Sequence, residues 1–351
     1  MKIAVLLSGG VDSSVVLYKL LEDGYTDITA YYLKIWLEDE LDFMGNCPWE
    51  EDLSYAQAVC DKAGVELKTL SLQQEYYDKV VSYVIAELKE GRTPSPDIFC
   101  NQRIKFGAFY DHITENYDKV ATGHYAQIVK NEDATYSMLR SPDQIKDQTY
   151  FLAHLSQEQI SKIIFPIGGL EKNEVRKLAE KYDLPNKDRK DSQGICFLGK
   201  IKYNDFIGHY LGSKTGEIIN KESGEVLGKH SGFWYHTVGQ RSGLGLSGGP
   251  WYVVGKDTNK NIVYVSHQKN DDNREKRIFT VKNLNWLNKI PQENMLSVKL
   301  RHGPHIIPCF IKWLDDNRIE ITMSEADKGV APGQFAIFYN NLECLGCGRI
   351  E

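Results

Sequence analysis

The sequence predicts an α/β protein in which a helix-covered parallel sheet at the N-terminus precedes a small central β-rich domain and a C-terminal β-barrel. Strand-like and helical segments alternate over residues 2–122, glycines are frequent over residues 208–250, and short strand-like segments separated by turns occupy residues 251–351. The first pattern is typical of a parallel α/β sheet and the last of a small barrel. With 351 residues the chain can hold two or three domains.

The N-terminal segments alternate between buried strands and helices. We expect strands at residues 2–7, 28–34, 65–70 and 119–122, and helices at residues 11–22, 51–63, 73–90 and 100–116. This order implies parallel strands, and ligands of such sheets bind beyond the carboxyl ends of the strands. We therefore expect a binding site at three strand ends, namely residues 8–14, Leu33 and residues 122–124.

The C-terminal third has short apolar segments broken by polar turns. We expect successive barrel strands at Ile278–Val281, Leu296–Leu300, Ile306–Trp313, Arg318–Met323 and Gln334–Tyr339. The changes in composition predict an α/β domain over residues 1–205, a central domain over residues 206–271 and a barrel domain over residues 272–351.

Composition and charge restrict the class of protein. The net charge of −6 argues weakly against a nucleic-acid partner, but the acidic excess lies in residues 1–140 and leaves room for a basic face elsewhere. No apolar run is long enough to span a bilayer, so we expect no membrane association. The seven cysteines are scattered and no export signal precedes them. They predict reduced thiols and a cytoplasmic protein.

The first strand leads directly into Ser8-Gly9-Gly10-Val11-Asp12-Ser13-Ser14. A strand, a glycine turn and a helix start direct free backbone N–H groups and the helix dipole at one point, where an anion can bind. The loop is not a Walker A motif, because no Gly-Lys-Ser/Thr follows. A carboxylate at Asp12 suggests a bound Mg²⁺ or a substrate contact as well.

Two distant cysteines lie in settings where a thiol can react. Ser95 and Pro96 are typical of a helix start, which places Asp97 and Cys100 on one face of the first turns. A helix N-terminus lowers a thiol pKa, and a nearby carboxylate can transfer a proton. Cys196 lies in a loop-like segment. From position alone, a buried structural cysteine is the more common case for Cys100, and a small buried residue is also the alternative for Cys196.

Several segments together resemble one family, the bacterial tRNA-specific 2-thiouridylases, within the larger group of ATP pyrophosphatases that share the residue 8–14 loop. The resemblance extends from the first strand to Pro332-Gly333-Gln334 and so covers almost the whole chain. It rests on residues 8–14, 94–101, 121–125, 146–152, 194–197 and 235–241.

The resemblance implies a Rossmann-like catalytic domain that uses ATP and Mg²⁺ to thiolate the 2-position of the wobble uridine in tRNAs for Lys, Glu and Gln. ATP adenylates the uridine oxygen, a cysteine persulfide delivers sulfur, and AMP departs. The implied ATP-binding residues are Leu6, Leu7, Ser8, Gly9, Gly10, Val11, Asp12, Ser13, Leu33 and Gly123. The implied catalytic residues are Cys100 as nucleophile, Cys196 as persulfide carrier and Asp97 as acid or base.

The implied tRNA contacts are Ser95, Pro96, Asp97, His124, Lys146, Asp147, Gln148, Arg301, His302 and Gln334. A sulfur-donor protein must also load Cys196. Cys100 could either release sulfide from the persulfide or resolve an intermediate after direct attack on the base. Both routes leave a transient disulfide between Cys100 and Cys196, which requires the two thiols to approach each other.

This chain departs from the family pattern at several positions. Ser95 stands where Asn is usual, Leu33 where Met is common, and Gly303-Pro304 follow His302. Cys344 and Cys347 form a C-x-x-C pair outside the pattern, and without a second pair we interpret them as structural or incidental thiols.

Two rival functions remain compatible with parts of the sequence. Another pyrophosphate-loop synthetase could adenylate a free metabolite, although the placed cysteines and the barrel argue against it. A non-enzymatic RNA-binding protein with a relict nucleotide site is the second rival, and the intact loop at residues 8–14 argues against that one.

Overall fold

The computed structural model describes residues 1–35, 49–113, 116–191, 202–267, 276–327 and 329–351. The strands in chain order are β1 (Ile3–Leu6), β2 (Ile28–Lys34), β3 (Leu67–Ser71), β4 (Lys119–Ala121), β5 (Ala126–Lys130), β6 (Tyr136–Arg140), β7 (Ile163–Ile164), β8 (Gly216–Asn220), β9 (Val226–His230), β10 (Tyr252–Asp257), β11 (Ile262–Ser266), β12 (Lys276–Trp286), β13 (Met295–Lys299), β14 (Ile307–Asp315), β15 (Arg318–Asp327), β16 (Phe335–Asn340) and β17 (Glu343–Ile350).

The α-helices are mostly short and lie mainly in the first half of the chain. They are α1 (Val11–Glu22), α2 (Trp49–Ala63), α3 (Gln73–Tyr76), α4 (Ser82–Lys89), α5 (Pro96–Phe99), α6 (Phe109–His112), α7 (Thr149–Leu152), α8 (Gln157–Ser161), α9 (Lys172–Lys181) and α10 (Tyr203–Leu211). A π-helical segment at Tyr77–Val81 joins α3 to α4, and a second one at Cys100–Ala108 joins α5 to α6.

The N-terminal sheet is parallel and has the order β3-β2-β1-β4-β7. The predicted strands are confirmed, and β7 is an addition at the edge. Side chains of β1 alternate between two cores: Ile3 and Val5 pack with α1, α2 and α9, whereas Ala4 and Leu6 pack with α4 and the helices around Cys100. Both faces of the sheet are therefore covered, which leaves the carboxyl edge for ligands.

The central and C-terminal domains are β-rich, as predicted. The central sheet has the order β10-β11-β8-β9. The barrel runs β12-β15-β14-β13-β16-β17 and closes because β17 also pairs with β12. Its interior is filled by apolar side chains such as Val298, Ile311 and Phe338.

The sequence predicted five barrel strands and missed the sixth, β17. This strand contains Gly346 and Gly348, and glycine is rare in strand interiors. A Cβ at Gly346 would lie 2.1 Å from the carbonyl oxygen of Asn285, so only glycine permits the close approach of β17 to β12. The hairpin β5–β6 was also not predicted. It extends the barrel sheet through the pairing of β6 with β17 and so joins the catalytic domain to the barrel.

Buried charges strengthen this junction. The carboxylate of Asp147 lies 2.8 Å from Lys299 Nζ on β13, and both side chains are fully buried. Glu87 on α4 accepts hydrogen bonds from Arg92 and from Arg349 on β17. In the described part of the chain, no helix is both long and apolar enough to cross a membrane.

Candidate active site

The loop after β1 has the geometry that the sequence predicted. Gly9 has a φ of 73°, and Gly10 is the N-cap of α1. A Cβ at Gly9 would lie 2.2 Å from the carbonyl oxygen of Asp52, so the position requires glycine. The hydroxyls of Ser13 and Ser14 each donate to the Gly10 carbonyl oxygen at 3.0 Å. These contacts tighten the turn, and the N-terminus of α1 faces the carboxyl edge of the sheet.

The remaining predicted ATP-binding residues differ in what they can offer. Leu6, Leu7 and Val11 are buried in the core, so their contribution to a nucleotide site would come from the backbone. Leu33 lies near the carboxyl end of β2 and is half-buried. A Cβ at Gly123 would lie 3.0 Å from Ser13 N, which shows how closely the end of β4 approaches the loop. The nucleotide roles of these residues stay predictions.

Asp12 is the centre of an ionic network that the sequence did not reveal. Lys172 Nζ donates to Asp12 Oδ1 at 2.7 Å and Oδ2 at 2.9 Å, and it also lies 2.7 Å from Asp191 Oδ1. The hydroxyl of Tyr125 donates to Asp12 Oδ1 at 2.9 Å. Arg176 Nη2 binds the same oxygen of Asp191 at 2.6 Å. The neighbouring cations hold the pKa of Asp191 at about 2, although burial acts in the opposite direction.

Two further side chains, Asn186 and Arg189, donate hydrogen bonds to the loop. Asn186 Nδ2 donates to the Gly9 carbonyl oxygen at 2.8 Å and to Ser14 Oγ at 2.9 Å. Arg189 Nη1 donates to the same carbonyl at 3.1 Å, and its other terminal nitrogen pairs with Asp52. The only local signal for Arg189 was the charged run at 187–191, which is equally typical of a solvated loop, and Asn186 lies just before that run.

Cys100 lies at the junction between α5 and the following π-helical segment. Pro96 is the first residue of α5, as predicted, and Ser95 occupies the N-cap position. The Ser95 side chain makes no capping hydrogen bond with the described residues, and its backbone N–H donates to the Tyr83 hydroxyl at 3.2 Å. Cys100 is 3% exposed. Burial raises the pKa of Asp97, partly offset by Lys105, which suits a residue that gives and takes a proton.

The Cys100 segment and the nucleotide loop lie on the same edge of the sheet. Phe106, in the π-helical segment that begins at Cys100, packs its ring against His124 with centroids 6.1 Å apart. A Cβ added at the preceding residue, Gly123, would lie 3.0 Å from Ser13 N, so this end of β4 lies close to the loop. Cys196 lies outside the described residues, so its predicted approach to Cys100 stays a prediction.

His124 is buried rather than presented to solvent. Its Nδ1 lies 2.7 Å from Thr122 Oγ1. Burial, and secondarily Lys105, lowers the pKa of His124 well below its usual range, so the imidazole is neutral. The tRNA contact predicted for His124 stays a prediction, and in this structure the side chain packs at the end of β4.

The segment Lys146–Gln148 is already engaged within the protein. Lys146 Nζ donates to Asp191 Oδ2 at 2.6 Å. Asp147 is fully buried against Lys299. Gln148 pairs with the backbone of Tyr125 through its N–H and its side-chain oxygen. The tRNA contacts predicted for this segment stay predictions, and Lys146 is the more exposed of its two charged side chains.

Three predicted tRNA contacts lie on or next to the barrel. Arg301 is 58% exposed and lies 3.1 Å from Asp327. His302 stacks on Phe151 of α7 with ring centroids 4.9 Å apart. Gln334 is half-buried at the start of β16. Because the preceding Pro332-Gly333 packs against residues 92–93, the barrel end lies beside the Ser95–Asp97 segment.

Domain families match the chain from end to end. The families described as "tRNA methyl transferase HUP domain", "tRNA methyl transferase PRC-barrel domain" and "Aminomethyltransferase beta-barrel domain" match residues 1–200, 204–267 and 276–350. A curated protein of Parabacteroides distasonis, named "tRNA-specific 2-thiouridylase MnmA", is 44% identical over 357 residues, covering 100% of this chain and 99% of the relative. The protein of that name from Shewanella sp. strain MR-4 is 45% identical over 360 residues, covering 100% and 96%.

The parallel sheet and its loop define a nucleotide-binding enzyme of the pyrophosphate-loop class. The similarity to the curated relatives extends through the central domain and the barrel as well. The chain belongs to the family of tRNA-specific 2-thiouridylases.

Proposed function

We propose that this enzyme uses ATP to replace the 2-oxygen of the wobble uridine with sulfur in tRNAs for Lys, Glu and Gln. The observation that supports this best is the shared sheet edge. Phe106, in the helical segment that begins at Cys100, packs on His124, and the adjacent Gly123 lies so close to the nucleotide loop that a Cβ there would be 3.0 Å from Ser13 N. A base bound near Cys100 would therefore lie beside the phosphates of ATP. The full-length relatives leave the rival metabolite synthetase without support.

In the adenylation step, the residue 8–14 loop binds the phosphates through its backbone N–H groups and the start of α1. Asp12 would bind Mg²⁺, which would neutralise phosphate charge. Among the described residues no three acidic, His or Cys side chains form a metal site, so such an ion needs the phosphates as further ligands. The uridine 2-oxygen attacks the α-phosphate and pyrophosphate leaves. The resulting AMP ester is a good leaving group at C2.

In the sulfur-transfer step, a persulfide on Cys196 supplies the sulfur. In one route, the Cys100 thiolate attacks the Cys196 sulfur and releases hydrosulfide, which displaces AMP from C2. In the other, the terminal persulfide sulfur attacks C2 and expels AMP, and Cys100 then attacks the Cys196 sulfur to free the thiocarbonyl. Both routes end in a Cys100–Cys196 disulfide, which a cellular dithiol must reduce. Asp97 would transfer the proton of Cys100.

The tRNA would lie across the barrel and the catalytic domain. Arg301 and Lys146 would mainly position phosphates, since such contacts fix orientation rather than read sequence. Ser95 and Pro96 would contact the target base, which must leave its stack to enter the site. A sulfur-donor protein reloads Cys196. A cytoplasmic location fits the tRNA substrate and the scattered cysteines of the sequence.

The function is tested by nucleoside analysis. The protein is incubated with unmodified lysine tRNA, ATP, Mg²⁺ and a desulfurase with cysteine, and the digested tRNA is analysed for 2-thiouridine by mass spectrometry. We expect product with wild type and with Cys309→Ala, a buried barrel cysteine that serves as the control, and none with Cys196→Ala. AMP release without 2-thiouridine would mean that the sulfur donor or the tRNA in the mixture is wrong. The absence of both AMP and 2-thiouridine would favour the metabolite synthetase, and full activity of Cys196→Ala would overturn the persulfide.

A further inference from the structure

Two chains of polar contacts run from the segment Lys146–Gln148 to the same carboxylate in the nucleotide loop. The first passes through Tyr125. The backbone N–H of Gln148 donates to the Tyr125 carbonyl oxygen at 2.9 Å, and the Tyr125 N–H donates to Gln148 Oε1 at 3.0 Å. The Tyr125 hydroxyl then donates to Asp12 Oδ1 at 2.9 Å. These contacts place only one residue between the segment and the loop.

The second chain is ionic. Lys146 binds Asp191 at 2.6 Å, Asp191 lies 2.7 Å from Lys172, and Lys172 binds both oxygens of Asp12. It ends on the carboxylate that Tyr125 contacts. The two chains therefore hold Asp12 from two directions.

Tyr125 is the more rigid of the two connections. Tyr125 is 2% exposed, whereas the side chain of Lys146 is 36% exposed. Burial, reinforced by the Asp12 carboxylate, raises the pKa of Tyr125, so the hydroxyl stays protonated and acts as the donor. Between Lys146 and Gln148, Asp147 is fixed to Lys299 of the barrel. A displacement of Gln148 would therefore also displace Tyr125, because the two residues are joined by paired hydrogen bonds.

We propose that Tyr125 is a positioning residue that makes the orientation of Asp12 depend on tRNA docked at Lys146–Gln148. The proposal rests on the proposed function, because it takes that segment as a tRNA contact. Docked tRNA holds Gln148, the paired backbone holds Tyr125, and Tyr125 holds Asp12 toward the phosphates. Since docked tRNA then reinforces the position of a group that ATP also needs, each ligand strengthens binding of the other by one common factor.

The test measures this coupling factor by calorimetry. The Mg²⁺ complex of α,β-methylene-ATP is titrated into the full-length protein with and without unmodified lysine tRNA. For wild type we expect tRNA to tighten analogue binding by roughly fivefold or more, the lower range of measured couplings. In Tyr125→Phe the factor falls toward one, while analogue binding without tRNA changes less than about threefold, because Lys172 still holds Asp12.

Matched variants separate positioning from a general loss of structure. Tyr110→Phe removes a hydroxyl that contacts Lys162 at 3.4 Å in the same domain, and it should keep the wild-type factor. Gln148→Met removes the acceptor of the Tyr125 N–H and should lower the factor even if tRNA binds more weakly overall. Thermal melts of each variant establish that the protein is folded under the conditions of the titration.

The outcomes are distinct. A Tyr125→Phe factor within twofold of wild type overturns the proposal, as does a wild-type factor of one. Wild type and Tyr125→Phe are assayed for 2-thiouridine in parallel. If tRNA and the analogue are coupled in wild type but not in Tyr125→Phe, and wild type forms no 2-thiouridine, the result would support the role of Tyr125 and contradict the proposed function. A protein that thiolates tRNA without coupling would do the reverse.

Discussion

Replacing Lys299 with methionine tests how strongly the barrel is fixed to the catalytic domain. Lys299 Nζ lies 2.8 Å from Asp147 Oδ2, and both side chains are fully buried. The same carboxylate lies 3.3 Å from Arg140 Nε and accepts a hydrogen bond from Thr149 at 2.9 Å. Methionine keeps the length of the lysine stem and removes the charge. Asp147 is then left with the more distant cation and with the hydroxyl and backbone N–H of Thr149.

The expected loss follows from the burial of the pair. Removing one partner of a buried ion pair costs about 3–5 kcal/mol, because the other charge stays buried without compensation. Arg140 remains beside Asp147, so we expect the lower end, about 3 kcal/mol. For a domain of about 200 residues this corresponds to a fall in Tm of about 6–12 °C. Urea unfolding at pH 7 and thermal melts measure both quantities.

The effect of Lys299→Met should depend on pH in a defined direction. Burial pushes the pKa of Asp147 upward, but Lys299 and Thr149 outweigh it and hold the pKa below its usual range. A lowered carboxyl pKa stabilises the fold above the unfolded value of about 4, and the stability is lost as the pH falls through the folded pKa. The difference between wild type and variant should therefore be full at pH 7 and shrink below about pH 4.

Two controls bracket this result. Asp147→Leu combined with Lys299→Met removes both charges and should recover part of the lost stability, because Arg140, whose side chain is 11% exposed, then loses its carboxylate partner. Lys289→Met removes a 76% exposed partner of Asp133 and should leave the stability almost unchanged, because exposed ion pairs contribute little. The reasoning is refuted if Lys299→Met costs no more than Lys289→Met at pH 7.

Three further predictions concern the site and the thiols. Gly123→Ala places a methyl group 3.0 Å from the backbone of the nucleotide loop and should raise the KM for ATP by about tenfold. Gly255→Ala introduces ordinary contacts only and should leave the KM unchanged. Equal KM values for the two variants would contradict the close packing at Gly123. Asp97→Asn should slow thiolation by about 100-fold or more. Because the raised pKa of Asp97 means that ionisation costs stability as the pH rises above about 4, the same variant should melt higher than wild type at pH 7, and a lower Tm would show that the carboxylate stabilises the fold. Cys344 and Cys347 are buried and burial raises the pKa of both thiols, so neither should react with iodoacetamide in the native protein, and peptide mapping that finds them alkylated would contradict their burial.

The sequence by itself determined the features that depend on local geometry. The strand, the two glycines and the helix start at residues 8–14 form the predicted corner, because a positive φ at Gly9 and an open helix N-terminus are properties of neighbouring residues. Pro96 begins its helix for the same reason. The alternation of strands and helices likewise predicted the parallel sheet, since a strand that is buried on both faces is a continuous run of apolar residues.

Only the tertiary structure decided which distant side chains meet at that corner. Lys172 and Tyr125 reach Asp12 from 160 and 113 residues away, and nothing in their neighbourhoods marks them as partners. Asp147, which resembled a tRNA contact, is fully buried against Lys299 of the barrel. The closing strand β17 depends on a glycine that lets two backbones approach. Such contacts arise from chain packing over long separations, and no local period or propensity encodes them.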